Sequence, residues 1–174
     1  MTNLIKMTLF NIKLAVLFML FLACDKQEAT LPRAQIIETQ EFAELSYLAL
    51  GDSYTIGESV PNQDSFPKQL EKRLEVELNT TIQTQILAKT GWRTDNLLGA
   101  IASENLEKSY DFVTLLIGVN NQYQGLSFAK YEEEFPELLK IAIKLAGNNP
   151  SRVVVVSIPD WGFTPFGKDR DQKI

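Results

Sequence analysis

A chain of 174 residues has the length of one ordinary domain, and with 45% hydrophobic against 22% charged residues it carries enough apolar material for a core, which excludes a disordered polymer. The net charge of -5, with no strongly basic stretch, argues against nucleic acid as a partner; the acidic balance suits solubility and says little of a substrate. The single cysteine, Cys24, excludes an intramolecular disulfide, and the absence of histidine excludes a His-ligated zinc site and a complete Ser-His-Asp triad within this chain. No metal or organic cofactor is implied.

The first element is an address. Lys6 and Lys13 precede an apolar run, Leu14 to Ala23, that meets Cys24. A basic n-region before an h-region of about ten residues has the proportions of a signal peptide, whereas a spanning helix needs about twenty. The run Phe21-Leu22-Ala23-Cys24 resembles the bacterial lipoprotein cleavage signal, with Phe21 where that signal usually has Leu. The expectation is a signal peptide over 1–23, then a lipidated Cys24 and polar tether over 24–40. The domain over 41–174 is then exported and anchored to a cell-envelope membrane. An uncleaved N-terminal anchor is the alternative.

The domain alternates strand and helix. Leu45 to Leu50 is a short apolar run leading into Gly51-Asp52-Ser53, which predicts a buried strand opening into a turn. Phe66, Leu70, Leu74 and Leu78 recur every fourth residue and predict a helix over 66–78, with Pro67 in its first turn. A second strand is expected over 82–88 and a helix over 94–106, capped by Thr94 or Asp95. A third strand is expected over 111–117. A long helix is expected over 127–146, kinked or broken at Pro136. A fourth strand, apolar on both faces, is expected over 152–158. Near-continuous apolar strands separated by helices indicate a parallel sheet covered on both sides. Ligands bind such sheets at the carboxyl ends of the strands. Gly51-Asp52-Ser53, Thr90-Gly91-Trp92 and Gly118-Val119-Asn120-Asn121 all fall there.

Those loops carry a chemistry. Ser53, exposed at a strand-to-turn junction, is a candidate nucleophile once a base takes its proton. Gly51 permits tight backbone geometry, and Asp52 can bond the local backbone and stiffen it. The backbone N–H groups of Ser53 and Gly91 and the side-chain amide of Asn120 are candidate donors to an oxyanion. Each motif alone is more often a turn than a site. Trp92 and Trp161 read first as covers for the core, Asp160 as a turn residue, and Glu132 to Glu134 as a solvated helix face.

Taken in order, Gly51-Asp52-Ser53-Tyr54-Thr55, Gly91 and Gly118-Val119-Asn120 resemble the first three sequence blocks of the SGNH/GDSL serine hydrolases. That resemblance runs from about Leu45 to the end of the chain. It implies a three-layer α/β/α flavodoxin-like sandwich, with Ser53 as nucleophile and Gly91 and Asn120 as oxyanion donors. It also implies a small-molecule or acylated ester as substrate. Asn121 replaces the aspartate that usually follows the third-block asparagine, a minor departure. The larger departure is the absence of the final Asp-x-x-His block, which carries the acid and base. The expectation is therefore an incomplete domain, lacking a C-terminal strand and helices and inactive as it stands. A non-catalytic ligand-binding lipoprotein of the same fold is the alternative.

Overall fold

The computed structural model describes residues 44–107, 109–160 and 162. The expected signal peptide, the tether, Cys24 and Trp161 lie outside them. The elements follow in chain order: β1 (Glu44–Gly51), α1 (Ser53–Ile56), α2 (Phe66–Leu78), β2 (Thr81–Ala88), α3 (Thr94–Ser103), β3 (Phe112–Leu116), α4 (Val119–Tyr123), α5 (Phe128–Leu145) and β4 (Val153–Val155). Single 3-10 turns cover Asn62–Asp64 and Pro150–Arg152.

The four strands among the described residues form one parallel sheet in the order β2-β1-β3-β4. β1 and β3 are central because their side chains are apolar in both directions. Leu48 and Leu50 point into a core with Val113, Leu115, Leu97 of α3, and Leu138 and Ala142 of α5. Tyr47 and Ala49, one position out of phase, point to the opposite face, where Ile82 and Leu70 and Leu74 of α2 meet them. The two-residue period of a strand thus divides β1 between two cores. With α2 on one side and α3 and α5 on the other, the sheet is the middle of three layers. On the α2 side, Tyr47 stacks on Phe112 with ring centroids 4.0 Å apart, and its hydroxyl is paired with Thr114 Oγ1 at 2.8 Å. Burial pushes that phenol up to about 12.

Several expectations are corrected. α5 runs unbroken through Pro136, so the lost N–H is tolerated within the helix and no break occurs there. α3 ends at Ser103, short of Leu106. Its cap position is Arg93, because Thr94 is already helical and its side chain is drawn into the core. There the Arg93 N–H donates to Asn96 Oδ1 at 3.1 Å, closing the first turn from within. Leu78, at the end of α2, is 55% exposed and does not share the buried face of Leu70 and Leu74. β4 spans three residues, not seven: its ladder pairs only Val153 to Val155 with Val113 to Leu115, and a last bond runs from Val156 N to Leu115 O at 2.9 Å. Val154 and Val155 are 54% and 47% exposed, so β4 is not covered on both faces among the described residues.

Candidate active site

The register of β1 brings the three polar loops level. Gly51, its last residue, pairs with Ala88 at the end of β2 and with Leu116 at the end of β3. Ser53 therefore leaves the sheet two residues beyond this line, Gly91 three beyond and Asn120 four beyond. Parallel strands place all three departures on the same edge. Gly51 has no room for a side chain: a Cβ would meet Thr55 Oγ1 at 2.0 Å and Leu116 O at 2.5 Å. That close approach lets β1 pass directly into α1.

Ser53 is the first residue of the four-residue helix α1 and is half-buried, less open than the sequence implied. Asp52 caps it: Oδ1 accepts from Tyr54 N at 3.0 Å, as expected of an aspartate that stiffens a turn. Its other oxygen, Oδ2, is buried without a hydrogen-bond partner among the described residues. Burial pushes the Asp52 carboxyl up to about 6, against the opposing effect of the Tyr54 bond. Ser53 also lines an open cleft of about 440 Å³ with Tyr54, Glu58, Val60, Asp64 and Gln69.

Gly91 occupies a tight turn in which Trp92 N donates to Lys89 O at 3.1 Å. Its φ of +77° is that of the third residue of a type II turn. Types I and II differ by a flip of the middle peptide, which here carries the Gly91 N–H. A residue able to hold a positive φ therefore decides where that N–H points. Trp92 packs against the core beside α3, the structural role expected of it.

Asn120 does not lie in a loop, as the Gly-x-Asn pattern suggested. It is the second residue of α4, a five-residue helix, and its Nδ2 donates to Trp92 O at 2.9 Å. Asn121 is buried and bridges to α3: its Oδ1 accepts from Thr94 N at 3.1 Å and its Nδ2 donates to Thr94 Oγ1 at 2.6 Å. The Thr94 hydroxyl in turn donates to Glu134, which is thereby withdrawn from the solvated face expected of it; Glu132 and Glu133 remain exposed. Asp160 makes the expected turn, accepting from Gly162 N at 2.9 Å.

The polar residues behind Gly91 and Asn120 escaped the sequence reading. Arg93 grips Asp95 at both ends, Nε to Oδ1 at 3.0 Å and Nη2 to Oδ2 at 2.9 Å. Lys130 of α5 joins at 3.1 Å, and the Asp95 carboxyl is held down to about 2, chiefly by the Arg93 hydrogen bond. The only signal available was the spacing of Arg93 and Asp95, which by itself is a surface pair. Among the described residues, no group of three or more His, Cys, Asp or Glu is placed to hold a metal ion, and no helix is long and apolar enough to cross a membrane.

A parallel sheet in this order, with a serine, a turn glycine and an asparagine presented at its carboxyl edge, defines a flavodoxin-like α/β/α sandwich of the SGNH hydrolase kind. The chain belongs to the GDSL-like lipase/acylhydrolase family, whose model matches residues 49–173. Three solved structures are similar in fold. The SGNH-hydrolase family esterase AlinE4 is 22% identical over 57% of this chain and 53% of its own, with a TM-score of 0.50. TesA is 17% identical over 70% and 66%, with a TM-score of 0.55. The lipase Lip_vut3 from a goat rumen metagenome is 22% identical over 64% and 61%, with a TM-score of 0.51. The chain thus spans between about half and two thirds of the length of these structures. No curated protein matches it.

Proposed function

We propose that the protein is a serine ester hydrolase that acts through an acyl-enzyme on Ser53. The observation that carries this reading is the double pairing of Gly51 with Ala88 and Leu116, which levels the three motif loops at one sheet edge. Ser53 Oγ attacks the ester carbonyl and gives its proton to a base. The oxyanion so formed accepts from the N–H of Ser53, the N–H of Gly91 and the second Nδ2 hydrogen of Asn120, the first being held by Trp92 O. Collapse releases the alcohol, and water then frees the acid from Ser53. The base is not a histidine of this chain, which has none. The 174-residue chain alone is therefore expected to retain at most residual catalysis, about 10³-fold over water. Family membership and the likeness in fold to the esterase AlinE4 and the lipase Lip_vut3 support an ester as the bond cleaved.

The test uses the full-length protein with a short-chain p-nitrophenyl ester and a fluorophosphonate label. Hydrolysis abolished by Ser53→Ala, with the label mapped to Ser53, supports the reading. Hydrolysis unchanged by Ser53→Ala rejects Ser53 as the nucleophile, and a folded protein that binds ester analogues without turnover rejects the hydrolase reading in favour of a non-catalytic binder. The leader motif supports a second part of the proposal: export, and anchoring to a cell-envelope membrane through lipidated Cys24. Intact-mass analysis of the native N-terminus decides it, an unmodified Cys24 thiol being the contrary result.

A further inference from the structure

We infer that Gln124, held in orientation by Arg93, is a positioning residue for the Gly91 oxyanion donor; the inference rests on the hydrolase reading above. Gln124 closes α4, and its side chain reaches back 33 positions along the chain, where Nε2 donates to Gly91 O at 2.9 Å. Asn120, one helical turn earlier, donates to the next carbonyl, Trp92 O, at 2.9 Å. Residues i and i+4 share a helix face, so one short helix grips two consecutive carbonyls of the donor turn.

The amide of Gln124 is also gripped from its other end. Arg93 Nη1 donates to Gln124 Oε1 at 2.7 Å. Reversing the amide would set its NH2 against the guanidinium and its oxygen against the Gly91 carbonyl, two repulsive contacts in place of two bonds. Arg93 is itself fixed by its two-point contact with Asp95, and Asp95 by Lys130. The order of Gln124 is thus inherited from α3 and α5.

The Gly91–Trp92 peptide is consequently held at both ends, its oxygen by Gln124 and its N–H by Lys89 O. With that peptide fixed, Gly91 keeps the φ of +77° that aims the Gly91 N–H. Released from it, a glycine can exchange turn types at little cost, and the donor would spend part of its time turned away. Gln124 touches no substrate in this account; it acts through Gly91.

Two variants and two readouts test the inference in the full-length protein. Gln124→Glu keeps an acceptor for Arg93 but cannot donate to Gly91 O; Gln124→Ala removes both contacts. In both, kcat for an oxyester is expected to fall about 10-fold with KM little changed, less than the loss from deleting a donor outright. Turnover of the matching thionoester, whose sulfur profits less from the donors, should fall much less. A general loss of fold would lower both substrates equally, and that result overturns the inference. The second readout needs no activity: amide exchange at Trp92 should accelerate about 10-fold in both variants while the β1 amides are unchanged. Unaltered Trp92 exchange overturns the inference whatever the kinetics. Accelerated exchange in a protein whose hydrolysis ignores Ser53→Ala would sustain the clamp and sink the hydrolase reading, so the two fail separately.

Discussion

The side-chain amide of Asn120 donates to the backbone carbonyl of Trp92 at 2.9 Å, tying the third motif block to the second. One amide hydrogen is spent on that bond, and the nitrogen carries another. The second donor is therefore preset before any substrate arrives. Asn120→Ala is expected to lower kcat by about 10²–10³ in the full-length protein, with a small change in KM. Asn120→Asp should be at least as damaging, since a carboxylate would face the Trp92 carbonyl. Steady-state kinetics on a short-chain ester check both.

Gly91 is required for its backbone angle, not for space. A Cβ built there meets nothing within 4 Å, yet φ is +77°. Gly91→Ala is thus expected to fold, destabilised by about 1–2 kcal/mol. Relief of the strain by a turn flip would carry the N–H away, so activity should fall further than stability does. Urea unfolding and kcat measured on one preparation separate the effects; equal losses would count against the donor role.

Gly51 shows the opposite constraint. Its Cβ would lie 2.0 Å from Thr55 Oγ1 and 2.5 Å from Leu116 O, and the latter, as backbone, cannot rotate away. Gly51→Ala should cost about 1–3 kcal/mol or more through overpacking between β1, β3 and α1. A variant with unchanged unfolding midpoint would show that β1 and β3 separate more easily than their register implies.

Asp52 makes stability depend on pH with a sign opposite to that of a salt-bridged acid. Its folded pKa is raised from 3.8 to about 6 by burial. The protonated form suits the fold, so this contribution is fully present below about pH 3.9 and is lost as pH rises through 6. The loss above pH 6 is about 3 kcal/mol. Asp52→Asn retains an oxygen for the Tyr54 N–H and cannot ionise. Its stability relative to the parent should therefore improve by about that amount between pH 3.5 and pH 7.5, read from urea unfolding at the two values. A difference that does not change with pH would mean that the fold leaves the Asp52 carboxyl titrating as it does in the unfolded chain.

The sequence alone placed the strands of the central sheet and the order of the three motif blocks. Leu48, Leu50, Val113 and Leu115 announce themselves because a doubly covered parallel strand must be apolar along its length. Gly51, Gly91 and Gly118 punctuate those strands at their carboxyl ends. The weaker expectations failed where a local signal competed with packing. Of the kink or break expected at Pro136, the break did not occur in α5, and Thr94 gave up the cap to join Asn121 in the interior. The four-valine run promised a long strand, but strand length is set by pairing, and the ladder to β3 ends at Val155 opposite Leu115.

What only the tertiary structure decided is which side chain holds which backbone group. Asn120 to Trp92, Gln124 to Gly91 and Asn121 to Thr94 link positions 27 to 33 residues apart. Strand and helix periodicities report which way a residue faces, not what it meets after two crossovers. The meeting is set by register: Gly51 opposite both Ala88 and Leu116 brings the turn that follows β2 and the helix α4 within one hydrogen bond of each other. A shift of a single residue along β1 would keep every motif legible in the sequence and part every one of those contacts, because the side-chain period of a strand is two and a hydrogen bond tolerates only a few tenths of an ångström.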